Sequence, residues 1–253
     1  MPFGQIEAIA HNGLRLAYER QTGARPTFVW CGGFKSDMTG TKAQALAEWA
    51  RTRGQGFVRF DYSGHGQSDG AFTEGTIGAW TDDTLAILDQ VTEGPLVLVG
   101  SSMGGWISLL AGRARPKRVA GLLLIAPAAD FTERLMWASF PQEVKREIEE
   151  TGRWERPSAY DPEPYVITRQ LIEDGRRHLL MDAPIPCTGP VRILQGGLDP
   201  DVPAAHAEAL AKLIQSPDLR FDLILDGDHR LSRPEDIDRL ISVANELADK
   251  LAP

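Results

Sequence analysis

Ser102 sits in Gly100-Ser101-Ser102-Met103-Gly104, between the apolar run Leu96-Val97-Leu98-Val99 and the helix-like run Trp106-Ile107-Ser108-Leu109-Leu110-Ala111. Strand, glycine-bracketed turn and helix is the context in which this pentapeptide presents a nucleophile. The turn forces the serine into a strained conformation, and the chain two residues either side passes too close for a Cβ. A serine hydroxyl is a poor nucleophile at neutral pH. It needs a base within hydrogen-bond reach, ordinarily a histidine, itself oriented by a carboxylate. The chemistry to expect is acyl transfer.

Two of the five histidines follow Ser102 in a plausible place. His206 lies in the alanine-rich helical stretch Pro203-Ala204-Ala205-His206-Ala207-Glu208, where a surface position is the simpler account. His229 stands in Asp226-Gly227-Asp228-His229-Arg230, just after the strand-like run Phe221–Leu225. A loop at the carboxyl end of a strand is where a catalytic base projects, so His229 is the expected base. The acid should also follow a strand end. The run Val191–Gln195 leads into Gly196-Gly197-Leu198-Asp199-Pro200-Asp201-Val202-Pro203, which offers Asp199, nearer the strand, and Asp201, which also suits a helix cap ahead of Pro203. A tetrahedral oxyanion needs preorganised donors. One is expected from the backbone N–H of Met103, the residue after the nucleophile, and the other from the loop Gly32-Gly33-Phe34-Lys35-Ser36.

These residues need a frame. Strand-like runs occur at Leu14–Tyr18, Thr27–Cys31, Phe57–Asp61, Leu96–Gly100, Val119–Ala126, Val191–Gln195 and Phe221–Leu225. Helical patterns fall between most of them, at Thr41–Arg53, Ile77–Val91, Gly104–Arg113, His206–Ile214 and Glu235–Leu251. The alternation predicts an α/β fold, a mostly parallel sheet covered by helices on both faces, with the chemistry at the carboxyl ends of the strands. Residues 127–188 break the pattern. They show no convincing strand, helical stretches at Phe140–Thr151 and Tyr165–Leu180, and breaks at Arg156-Pro157, Asp161-Pro162-Glu163-Pro164 and Ala183-Pro184-Ile185-Pro186. This reads as a helical cap inserted into a core formed by residues 1–126 and 189–253. Its Phe131, Met136, Trp137, Phe140, Trp154, Tyr160 and Tyr165 either hold the cap to the core or line an apolar pocket beneath it.

Composition narrows the function classes. The chain has 253 residues, 42% of them hydrophobic, and a formal charge of −8, which repels phosphate backbones and argues against a nucleic-acid partner. The single basic cluster, Arg176-Arg177-His178, reads as a solvated helix face. The N-terminal residues lack a basic stretch followed by an apolar run, and no apolar run is long enough for a bilayer, so a soluble protein without stable membrane insertion is expected. Cys31 and Cys187 form no disulfide framework, which fits a cytoplasmic protein, and Cys31 after Phe28-Val29-Trp30 reads as a small buried residue. No metal-ligand spacing occurs, and Asp61 to Ser68, although glycine-rich, matches neither a phosphate loop nor a dinucleotide fingerprint. No metal or cofactor is expected.

Gly32-Gly33-Phe34, Asp61 to Ser68, Gly100 to Gly104, Asp199 to Pro203 and Gly227-Asp228-His229 occur in the order and approximate spacing of an α/β-hydrolase, covering nearly the whole chain. The resemblance implies the α/β-hydrolase fold. It favours Asp199 as the acid, through its Asp-X-X-Val-Pro spacing. Gly32-Gly33-Phe34 stands where many of these proteins have His-Gly-Phe, which makes the Phe34 N–H the second oxyanion donor. Asp61 and His65 take structural roles in it. Three further segments, Gly33 to Ala43, Ile167 to Leu180 and Asp226 to Ser232, are similar to bacterial relatives of the mitochondrial palmitoyl-protein thioesterase in the α/β-hydrolase-domain family.

That branch implies hydrolysis of S-acyl thioesters or carboxylic esters, acyl glucuronides included, through Ser102, Asp199 and His229. Small-molecule esters and acylated thiols, S-acylated proteins among them, are the expected partners. Phe34, Met136, Trp137 and Phe140 are the candidate pocket residues. Two other readings compete. A serine peptidase or aminopeptidase on the same fold would use the acidic Glu143, Glu147, Glu149 and Glu150 to hold a substrate amine, although a solvated helix face explains them more simply. A non-catalytic ligand-binding homologue would have no need for serine, aspartate and histidine together.

Overall fold

The computed structural model describes residues 5–156 and 164–252. Before the insertion come strands β1 (Glu7–His11), β2 (Leu14–Gln21), β3 (Ala24–Cys31), β4 (Gln55–Phe60), β5 (Leu96–Ser101) and β6 (Val119–Ile125), with helices α1 (Thr41–Arg53), α2 (Ile77–Val91) and α3 (Met103–Ala114). The insertion holds α4 (Gln142–Thr151), β7 (Arg153–Arg156), β8 (Tyr165–Thr168), α5 (Arg169–Arg176) and β9 (Ile185–Pro186). The chain then completes the core with β10 (Val191–Gly196), α6 (Ala204–Leu213), β11 (Ile214–Gln215), β12 (Leu219–Ile224) and α7 (Pro234–Lys250).

Among the described residues the main sheet has eight strands in the order β1-β2-β4-β3-β5-β6-β10-β12. From β4 to β12 every pairing is parallel, whereas β2 pairs antiparallel with both β1 and β4 and so runs opposite to the other strands. Strand β5 is Leu-Val-Leu-Val-Gly-Ser and buried throughout, as expected of a strand covered on both faces. Its side chains alternate between two cores. Leu96 and Leu98 pack with Trp80, Trp106 and Ile107 of α2 and α3, whereas Val97 and Val99 pack with Leu46 of α1 and Leu240 and Leu247 of α7. Local sequence sets the helix ends. Thr76 Oγ1 accepts from the Ala79 amide at the start of α2, Gly54 ends α1 in the left-handed region at φ 73°, and Pro234 occupies the first position of α7.

The insertion departs from the expected all-helical cap. Residues 153–156 and 165–168 form an antiparallel hairpin, and Ile185-Pro186 pairs with β11. The expected helix Tyr165–Leu180 is strand up to Thr168 and helix only from Arg169. The β-branched run Val166-Ile167-Thr168 favours the extended form, and Thr168 Oγ1 then caps the helix by accepting from the Leu171 amide at 3.1 Å. Tyr160 and the prolines at 157 and 162 lie outside the described residues.

Asp130 closes the insertion on itself. Its carboxylate is fully buried and accepts from the Leu180 and Met181 amides, both at 2.8 Å, and from Arg134 Nε at 3.2 Å. One side chain therefore pins the first turn of the insertion to its far end. Removing it leaves one buried and one partly buried amide without acceptors, at roughly 1–3 kcal/mol for the buried one and less for the other. Asp130→Ala is expected to lower the unfolding free energy by about 3 kcal/mol in urea melts, and Asp130→Asn by less. A loss for the alanine variant below about 1 kcal/mol would show that the pin does not hold.

Candidate active site

Ser102 follows β5 and precedes α3 with φ 54° and ψ −117°, a left-handed region that a side chain rarely adopts. Both glycines of its pentapeptide are sterically required. A Cβ on Gly100 would lie 2.3 Å from the Gly104 carbonyl oxygen, and one on Gly104 would lie 2.0 Å from that of Cys31. The turn is fixed from β6 as well, since the Ser102 N–H donates to Ile125 O at 2.9 Å.

His229 enters from the loop after β12. Its Nε2 is 3.2 Å from Ser102 Oγ, and its Nδ1 is 2.8 Å from Asp199 Oδ2. The aspartate comes from the loop after β10, with its side chain fully buried. Asp199 Oδ1 accepts from the Asp201 and Val202 amides at 2.9 and 2.8 Å, and Gln195 Nε2 approaches Oδ2 at 3.3 Å. Asp201 supplies an amide to this cluster while Asp199 meets the imidazole. Asp199, Asp201 and His229 each present a potential metal donor within 4.8 Å of one another. Two of those three groups, Asp199 and His229, are already joined to each other by a hydrogen bond.

The remaining predicted residues divide. Phe34 and Met103 both border the cavity that contains Ser102, and among the described residues neither backbone N–H meets a protein acceptor. Met103 is the first residue of α3, whose amide has no partner inside the helix. His206 is not at the surface as expected. It lies half-buried on α6, with its Nε2 2.9 Å from Ala129 O and its pKa lowered by burial. Met136 lines the cavity, but Trp137 and Phe140 do not. Trp137 lies beneath the Lys145 and Arg176 cations, and Phe140 packs edge-on against Trp154 at 5.1 Å. Glu143, Glu147, Glu149 and Glu150 are exposed on α4 away from the cavity, which removes the feature that favoured a peptidase.

The cavity measures about 940 Å³, near the upper end of the roughly 300–1,000 Å³ typical of small-molecule sites. Its apolar lining includes Phe34, Phe131, Leu135, Met136, Val202 and Tyr165. Two residues that support the site were not singled out from the sequence for that purpose. Gln195 sits at the end of β10 and also donates to the Val202 carbonyl at 2.9 Å, so it braces the aspartate loop. His65, read only as structural, accepts the Lys35 amide on Nε2 at 3.2 Å. That bond fixes the residue after Phe34, itself at φ 55°. Burial pushes the His65 pKa down to about 4, so the ring remains a neutral acceptor. Asp61 is structural as expected, accepting the Met38 and Gln67 amides at 2.7 and 2.8 Å.

A mostly parallel sheet with this elbow at the end of a central strand defines the α/β-hydrolase class. Residues 29–240 match the alpha/beta hydrolase family along most of the chain, and the protein belongs to that family. Among individual relatives, it is 44% identical over 238 residues to "Palmitoyl-protein thioesterase ABHD10, mitochondrial" of Mus musculus, covering 94% of this chain and 80% of the relative. The solved mouse alpha/beta hydrolase domain-containing protein 10 superposes with a TM-score of 0.91 at 41% identity, covering 98% of this chain and all of that one. A protein of Agrobacterium vitis S4 superposes at 0.93 with 42% identity and the same coverage. These comparisons correct the cytoplasmic expectation: the mouse and human relatives are named as mitochondrial, and two unpaired cysteines do not discriminate between compartments. Among the described residues no helix is long and apolar enough to cross a membrane.

Two outcomes follow from the strain and burial at this site. Ser102→Gly relieves an unfavourable φ, so it is expected to raise the unfolding free energy by about 1–2 kcal/mol. A melting temperature unchanged or lowered would mean that the elbow is not strained. The second concerns pH. The His65 pKa is near 4 in the folded chain and 6.5 for a free imidazole, so the unfolded state alone takes up the proton in between. The stability is complete above about pH 6.5 and declines toward pH 4, by on the order of 3 kcal/mol. Urea melts across that window should show a shallower decline for His65→Gln than for wild type; parallel declines would exclude the histidine as their source.

Proposed function

We propose that the protein is a serine hydrolase that cleaves carboxylic esters or S-acyl thioesters, with Ser102 as nucleophile, His229 as base and Asp199 as the acid that orients it. The observation that carries this reading is the continuous hydrogen-bonded line from Asp199 Oδ2 through His229 to Ser102 Oγ, ending in the cavity. The mouse and human relatives are named palmitoyl-protein thioesterases, which supports an acylated thiol as one substrate class.

The geometry supports a two-step acyl transfer. As Ser102 Oγ attacks the carbonyl carbon, its proton passes to His229 Nε2, and Asp199 holds the imidazole tautomer through Nδ1 and stabilises the cation that forms. Negative charge develops on the carbonyl oxygen. The Phe34 and Met103 N–H groups are its donors, and each is typically worth 10²–10³ in rate. His229 then gives its proton to the departing thiolate or alkoxide. Water, deprotonated by the same imidazole, repeats the attack on the acyl-serine and releases the acid. The inserted segment roofs the acyl group with Met136, Leu135, Phe131 and Tyr165 and acts as a cap; residues 127–188 are its proposed bounds, and residues 1–126 and 189–253 those of the core.

A fluorophosphonate probe is expected to label the wild type at Ser102 and to leave Ser102→Ala unlabelled. Folded wild type that stays unlabelled would sink the proposal. Kinetics on S-acyl thioesters, p-nitrophenyl esters of graded chain length and aminoacyl amides should favour the first two by at least about 10-fold in kcat/KM. Preference for the amides would replace the esterase reading with a peptidase.

A further inference from the structure

Lys42 is at odds with its local surroundings. It is the second residue of α1, where the exposed N–H groups and the helix dipole disfavour a cation, and that first turn has no acidic residue. It is half-buried in the cavity wall. Nevertheless its Nζ donates to the Arg230 carbonyl and lies 3.3 Å from Ser232 Oγ, across more than 180 residues of sequence. Ser232 Oγ donates to the same Arg230 carbonyl at 2.9 Å. Arg230 is the residue immediately after His229.

The loop that this contact grips is a tight one. Leu231 is buried at φ 43°, and its amide donates to Asp228 Oδ1 at 2.9 Å, which closes a turn around Arg230. Arg233 anchors the far end to Asp226 and Asp236. Those bonds fix the shape of the turn, but they come from the loop itself and from α7. Lys42 is the tie from α1, the helix that follows the loop carrying Phe34.

We infer that Lys42 is a positioning residue that tethers the His229 loop to α1 and so keeps the imidazole aimed at Ser102, a role that rests on the serine-hydrolase reading above. It acts through the Arg230 carbonyl and does not touch the reacting atoms. The charged groups facing the ammonium are Arg230 and Asp228 of the loop and Asp236 of α7. Burial, reinforced by the Arg230 cation, brings its pKa down to about 8. Above that pH the contact changes from a charge-assisted hydrogen bond to a weaker neutral one.

The test compares wild type, Lys42→Met and Lys42→Arg on a p-nitrophenyl ester from pH 6.5 to 10. A displaced base costs turnover more than binding, so Lys42→Met should lower kcat about 10- to 100-fold with KM within about twofold. Wild-type kcat should fall above about pH 8. Lys42→Arg keeps a donor and stays charged, so it should restore most of the activity and lack that alkaline limb. Equal kcat for wild type and Lys42→Met, or a rise in KM alone, would overturn the inference. Should Lys42→Met fail to fold, the arginine variant decides: an alkaline limb identical to that of wild type rules Lys42 out. Fluorophosphonate labelling of the wild type separates the two failures, since an unlabelled wild type removes the hydrolase reading, whereas a labelled one with indifferent Lys42 variants removes only the tether.

Discussion

Ser102 keeps its unfavourable backbone because neighbouring strands and turns hold both of its peptide groups. Its N–H donates to Ile125 at the end of β6, and its carbonyl accepts from Gly105 at 2.9 Å and from Ala128, at the start of the insertion, at 3.0 Å. The elbow thus joins three things at one residue: the central strand, the helix it launches and the first residues of the segment that covers it. Close approach makes this possible. Gly104 brings α3 against the end of β3 at a distance that no Cβ permits, and this carries the loop with Phe34 to the same edge of the sheet as Ser102. Strain at one residue is maintained by the stability of the whole sheet.

The loop that carries Phe34 is held by buried polar groups of another segment. Asp61 at the end of β4 takes the Met38 amide, and His65 takes that of Lys35. The Phe34 ring then sits at the centre of an aromatic cluster, with ring centroids 4.9 Å from Phe72, 5.8 Å from Phe131 and 6.0 Å from both Trp80 and Tyr165. Phe72 and Trp80 precede β5 in the chain, and Phe131 and Tyr165 lie between β6 and β10. One residue therefore offers its amide to the cavity and its side chain to rings from both parts of the chain.

The frame was legible in the sequence because burial on both faces leaves a continuous apolar run, and the strands at 27–31, 96–100 and 191–195 announce themselves that way. Helices α1 and α2 fall where their periodicity puts them. Strand β1 escaped because it lies at the edge with little burial, and what orders it is pairing with β2 rather than any pattern of its own. The β7–β8 hairpin escaped because four-residue strands beside prolines read as interrupted helix. That Ser102, His229 and Asp199 would converge was legible because each stands just past a strand end, at the same edge of the sheet. Gln195 was not, since a polar residue closing a strand gives no sign of which loop it braces. Trp137 and Phe140 were misjudged for the converse reason: an aromatic residue shows that it will be buried, not against what.

The segment between β6 and β10 is anchored to the helices that flank the sheet. Asp174 of α5 accepts the Gly78 amide of α2 at 2.7 Å, Trp106 Nε1 of α3 donates to the His178 carbonyl at 3.2 Å, and His206 of α6 pairs with the Ala129 carbonyl. Each contact runs between the insertion and a helix flanking the sheet, and each uses a directional polar group that tolerates little displacement. Between these fixed points the roof is apolar, and its Leu135, Met136 and Tyr165 do not contact Asp199 or His229 through any hydrogen bond. Leu135 and Met136 share no hydrogen bond with the polar line at Ser102, whereas Tyr165 is tied to Phe34 through its ring contact. The depth and shape of the cavity are therefore set in part by an apolar layer that packs on Phe34 but lies outside the hydrogen-bonded line from Asp199 to Ser102.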